Sequence, residues 1–71
     1  MTKNQLSKKV GKRIVELRTK KGLNQSDLAR VCGKDRQAIE KIENGKVNST
    51  TYSLYTISKA LGVDLYELFK F

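Results

Sequence analysis

The chain has 71 residues, 38% of them hydrophobic, with 15 Lys/Arg against 7 Asp/Glu, a net charge of +8 and no histidine or proline. This length predicts one domain, residues 1–71, around a small core. The single cysteine, Cys32, excludes an intramolecular disulfide framework, and without histidine there is no nucleophile–base pair or metal cluster. Neither catalysis, a metal nor a cofactor is therefore expected, and Cys32 reads as a small buried hydrophobe. No apolar run approaches the roughly 20 residues of a membrane span and no signal segment opens the chain, so a cytoplasmic location with no membrane association is expected.

Residues 1–21 hold eight Lys/Arg against the single acid Glu16, whereas the last third balances at two of each sign. A solvated basic face is common in small proteins, but so lopsided a field also suits a polyanionic partner. Within this first segment Leu6, Val10, Ile14 and Leu17 recur at helical spacing, predicting a first helix that ends near Lys21 and Gly22. Gly11 in its middle predicts a close packing neighbour.

Asn24 is a suitable N-cap for a second helix, with Asp27 completing a capping box and Leu28, Ala29 and Val31 as the apolar set. Gly33 closes it. Asp35 caps a third helix that carries Ile39 and Ile42 and stops at Gly45. Ser49 or Thr50 caps a fourth, with Leu54, Ile57 and Leu61 inward. Asp64 and Glu67 form a capping box for a last short helix presenting Leu65, Leu68 and Phe69. The expected fold is all-α, a compact five-helix domain with a helix-turn-helix formed by helices 2 and 3.

With Ile39 and Ile42 inward, the opposite side of the third helix displays Gln37 and Asn44, flanked by Glu40 and Lys41. Arg36, at its start, can swing forward. Arg bonds guanine O6/N7 bidentately and Gln does the same at adenine N6/N7, so Arg36 and Gln37 have the geometry to read base edges in a major groove. Glu40 would accept from a cytosine amino group or orient Arg36, its i−4 neighbour, and the orienting role is the favoured expectation. Asn24, Gln25 and the free backbone N–H groups at the start of the second helix form a ready phosphate site. Lys46 and Asn48 lie in the loop past the third helix, where they could grip a second phosphate.

Gly11-Lys-Arg-Ile, Leu17-Arg18, Gly22-Leu-Asn-Gln25, Leu28-Ala29, Gly33, Ile39, Ile42-Glu43-Asn44-Gly45-Lys46 and Ala60-Leu61-Gly62-Val63 together resemble the lambda-repressor-like (Cro/repressor, XRE-type) helix-turn-helix family. The resemblance runs from about Val10 to Phe69. It implies that the third helix is a recognition helix, with base contacts at Arg36, Gln37 and Lys41 and phosphate contacts at Gln25, Asn44 and Lys46. It also implies an internal ion pair between Arg18 and Glu43. Lys34 in place of a small apolar residue, Ser49 in place of a common proline, and Glu40 on the reading face depart from the family pattern.

The expected function is a sequence-specific double-stranded-DNA-binding transcriptional regulator, a repressor, acting as a homodimer on a palindromic operator; no ligand-binding or cleavage domain and no small-molecule effector are expected. Tyr52, Tyr55, Tyr66 and Phe71 exceed what the apolar stripes need and are candidates for a dimer interface. The alternative is an antitoxin or adaptor whose main partner is another protein, with an exposed apolar patch around Tyr66, Phe69 and Phe71.

Overall fold

A computed structural model describes all 71 residues as four α-helices and one C-terminal turn: α1 (Lys3–Lys20), α2 (Gln25–Cys32), α3 (Arg36–Glu43), α4 (Thr51–Ala60) and a 3₁₀ turn (Leu65–Phe69). The helices start where the chain offers a side-chain acceptor to otherwise unpaired N–H groups. Thr2 and Asn24 form reciprocal capping boxes with Gln5 and Asp27, and the side chains of Asp35 and Thr50 accept from the N–H groups of Ala38 and Ser53.

The core contains Val10 and Ile14 of α1, Leu28 and Ala29 of α2, Ile39 and Ile42 of α3, Leu54, Ile57 and Leu61 from α4 and its end, and Leu68. Leu17, Leu23, Cys32 and Leu65 pack around this cluster. Burial raises the Cys32 thiol above its ordinary value, which disfavours the reactive thiolate.

Val31 departs from the expected apolar set, being 59% exposed. The inward direction of α2 passes between Leu28 and Ala29; Cys32, one turn after Leu28, falls within it, while Val31 falls outside.

The last element is likewise not a fifth α-helix. It is a five-residue 3₁₀ turn, and Asp64 makes no side-chain cap. Glu67, expected to reach back into a capping box, is instead engaged by Arg13 at 3.0 Å and Lys70 at 3.1 Å. Arg13 also donates from Nε to the Glu67 carbonyl at 2.8 Å, which ties the turn to α1. The turn still inserts Leu68, fully buried, beneath α1 and α4.

Two features set the positions of α2 and α3. Gly33 adopts φ 70° after α2, a left-handed conformation that reverses the chain within a few residues. Lys34 N–H then returns to the Ala29 carbonyl at 2.9 Å. Gly11 allows α1 to lie directly on the end of α3, because a β-carbon there would collide with the Glu43 carbonyl oxygen and stand 2.5 Å from that of Ile42. No helix is long and apolar enough to cross a membrane.

Candidate nucleic-acid interface

Three helices meet at one carboxylate. Glu43, in the last turn of α3, accepts Arg18 Nε at 2.7 Å and Arg18 Nη2 at 3.0 Å, and Gln25 Nε2 from the first turn of α2 at 3.0 Å. Arg18 Nη1 donates to the Leu23 carbonyl at 2.9 Å, just before α2. The Glu43 side chain is 3% exposed and that of Arg18 12%, so both charges are withdrawn from water and answered by directed hydrogen bonds. The pair fixes the start of α2 beside the end of α3, which sets the geometry of the exposed surface.

On that surface Arg36, Gln37, Lys41 and Asn44 are exposed along α3. Neither Arg36 nor Lys41 enters an ion pair within the chain, so both cations are free to meet an external acceptor. Of the neighbouring acids, Asp35 caps the helix by accepting the Ala38 N–H, and Glu43 is buried.

The residues assigned to phosphates divide into two groups. At the start of α2, Asn24 Oδ1 is held by the Asp27 N–H at 2.8 Å. The N–H groups of Gln25 and Ser26 have no intrahelical acceptor by construction and lie at the positive end of the helix dipole. Gln25 gives one hydrogen of its side-chain amide to Glu43, leaving the other and its backbone N–H as donors for an external acceptor. Its two roles, locking the helices and lining the surface, are therefore compatible.

Past α3, Lys46 and Asn48 are exposed on the loop that leads to α4. Lys46 N–H closes the left-handed turn at Gly45 by bonding the Lys41 carbonyl at 2.9 Å. That turn packs against Lys8 of α1, whose Cα would stand 2.8 Å from a β-carbon on Gly45.

Glu40 differs from expectation. It does not orient Arg36; its Oε1 accepts Asn44 Nδ2 at 2.9 Å and lies 3.4 Å from Lys46 Nζ. Asn44 stands one turn along the same face, and the Gly45 reversal returns Lys46 to it, so both reach Glu40. The Asn44 link follows i,i+4 spacing and was available to sequence reasoning; the Lys46 link depends on the turn.

The aromatic candidates are all exposed. Tyr52 and Tyr55 stack on α4 with ring centroids 6.3 Å apart, Lys59 lies over Tyr55, and Lys70 over Tyr66. Phe71 lies beneath Lys9 of α1.

A helix-turn-helix family model matches residues 14–68. The chain is 36% identical over 63 residues to an uncharacterized HTH-type transcriptional regulator, y4dJ, of Sinorhizobium fredii, covering 89% of this chain and 82% of that one. It is 37% identical over 59 residues to the HTH-type transcriptional regulator PuuR of Escherichia coli, covering 83% of this chain but only 32% of that protein. Among solved structures it resembles the restriction-modification controller protein C.AhdI from Aeromonas hydrophila, with TM-score 0.84, 38% identity, and coverage of 86% of this chain and 92% of the other. The cap-defined α2, the Gly33 turn and the packed α3 are thus a helix-turn-helix in sequence and in space, and the chain belongs to the helix-turn-helix family of transcriptional regulators rather than to any family of enzymes.

Proposed function

We propose that the chain is a sequence-specific regulator that binds double-stranded DNA as a homodimer, each copy placing α3 in the major groove of one half of a palindromic operator. The observation that carries this reading is the outward face of α3: Arg36, Gln37 and Lys41 are exposed on a helix held at both ends by other elements, and both cations lack internal partners. Arg36 and Gln37 suit guanine and adenine edges, and Lys41 a guanine edge or a nearby phosphate. The start of α2, with Asn24 and Gln25, and the end of α3, with Asn44, Lys46 and Asn48, flank that face and would grip the sugar-phosphate backbone.

A dimer places two such helices in successive major grooves when its half-sites are about 34 to 36 Å apart. The exposed Tyr52, Tyr55 and Tyr66 would supply apolar surface for that contact. A bound dimer occludes the duplex it covers, so repression is its simplest regulatory outcome. The similarity to a restriction-modification controller of nearly equal extent supports a regulator built on this domain.

Selection of bound duplexes from a random pool tests the proposal. Enrichment of a palindrome is expected. Failure to enrich any sequence would favour the protein-interaction alternative, for which the exposed Tyr66, Phe69 and Phe71 would supply the contact surface.

A further inference from the structure

The outward face of α3 carries one group that repels the ligand proposed for it. Glu40 is the only carboxylate among the residues assigned to DNA, and its side chain is 34% exposed. Its Oε1 accepts Asn44 Nδ2 at 2.9 Å and Lys46 Nζ at 3.4 Å, while Asn44 Nδ2 also donates to the Glu40 carbonyl at 3.0 Å. Both hydrogens of the Asn44 amide and one of the three on the Lys46 ammonium are therefore already directed at Glu40.

We propose that Glu40 is a specificity-determining residue that occupies Asn44 and Lys46 in place of a phosphate and releases them only on a duplex that offers its carboxylate a donor in the major groove. The inference rests on the DNA-binding reading above. A carboxylate oxygen and a phosphate oxygen are alternative acceptors for the same N–H groups. If a phosphate takes Lys46 and Asn44, Glu40 is left as an unpaired anion beside a polyanion, with its hydration reduced by the groove. On an arbitrary sequence nothing offsets that loss.

Where a cytosine N4 amino group comes within reach, the carboxylate exchanges its internal donors for a base donor, and both phosphate ligands are set free. Glu40 lies three and four residues beyond Gln37 and Arg36 on the same helix, so it would meet the base pairs next to theirs. The effect is to weaken binding to wrong sequences more than to strengthen binding to the right one.

The test measures wild type, Glu40→Gln and Glu40→Ala on the selected duplex and on a random duplex across a salt series. Both variants are expected to bind the random duplex about tenfold more tightly, with a salt slope steeper by about one phosphate, while gaining little on the selected duplex. The ratio of specific to random affinity then falls about tenfold. A repeat selection with Glu40→Gln is expected to lose a C·G preference that wild type shows in each half-site.

In a Lys46→Gln background most of the Glu40→Gln gain on random DNA should vanish, a coupling that a merely structural role would not produce. An unchanged affinity ratio, or full gain in the Lys46→Gln background, overturns the inference while leaving the DNA-binding reading standing. If wild type itself enriches no duplex, both fall together.

Discussion

The Glu43 carboxylate at the end of α3 receives both Nε and Nη2 of Arg18 in α1, at 2.7 and 3.0 Å, while only 3% of the Glu43 side chain remains exposed. A buried charge pair of this kind contributes little net stability compared with a well-packed apolar pair, but breaking it leaves one charge stranded. Glu43→Ala or Arg18→Ala is therefore expected to cost about 3 to 5 kcal/mol in chemical denaturation. The double variant Arg18→Ala/Glu43→Ala should cost clearly less than the sum of the single replacements. Additive losses would show that the two charges do not depend on each other.

Gly11→Ala separates helix propensity from packing. Alanine improves an exposed helix interior by up to about 1 kcal/mol. Here the new β-carbon would meet backbone atoms of α3, with the Ile42 carbonyl oxygen at 2.5 Å. Backbone cannot rotate aside as a side chain can, so α1 and α3 must separate. A net loss of about 2 kcal/mol or more is expected from thermal melts, and a stabilised variant would contradict the observed helix contact.

Acid should loosen the C-terminal turn. Lys70, then Arg13, hold the Glu67 carboxyl below the usual glutamate range. A carboxyl whose folded value is lowered binds protons more readily when unfolded, so its stabilisation is present above the unfolded value, about 4.3, and is lost as pH falls through the folded one. The Asn24 backbone N–H, with Arg30, lowers Asp27 in the same direction. Carboxyl-carbon NMR titration should find both groups below their unfolded values, and amide exchange within residues 65–69 should accelerate as pH drops through the Glu67 transition. A Glu67 titration at or above the ordinary glutamate value would contradict the contact.

Self-association is expected to use the aromatic side chains of α4 and the C-terminal turn. Tyr52 and Tyr66 are 74% and 59% exposed, more than their bulk would favour in an isolated copy. Tyr55→Arg and Tyr66→Arg should each weaken a dimer about tenfold or more in sedimentation, without lowering the melting temperature of the monomer. Phe71→Ala is expected to have less effect, since the Phe71 ring already lies beneath Lys9 of α1.

The starts of α2, α3 and α4 were legible because a cap is a local device: Asn24 and Asp27, Asp35 and Ala38, and Thr50 and Ser53 are each three residues apart, as are Thr2 and Gln5, whose capping box at α1 went unread. The apolar stripes of α1, α3 and α4 were legible from their spacing, except that Leu6, expected on the first stripe, stands 40% exposed near the start of α1. The inward direction of an eight-residue helix with few apolar residues was not, which is why Val31 was placed inside. The last element looked like a helix because Asp64 and Glu67 have capping-box spacing, but Arg13, more than fifty positions away, engages Glu67. In the site the same division holds. The outward set Arg36, Gln37, Lys41 and Asn44 follows from helical periodicity, whereas the Gln25–Glu43 bond and the capture of Lys46 by Glu40 depend on chain reversals that bring distant residues together.

The measurement that tests the central claim most directly compares wild type, Arg36→Ala, Gln37→Ala and Lys46→Ala on the selected duplex and on a random one. If α3 reads bases, Arg36→Ala and Gln37→Ala should each lose about 1 to 3 kcal/mol on the selected duplex and little on random DNA. Lys46→Ala should weaken both, the selected duplex more, because on random DNA Glu40 still holds the ammonium, and should reduce the salt slope on the selected duplex by about one. Equal losses on the two duplexes for all three variants would contradict recognition through α3.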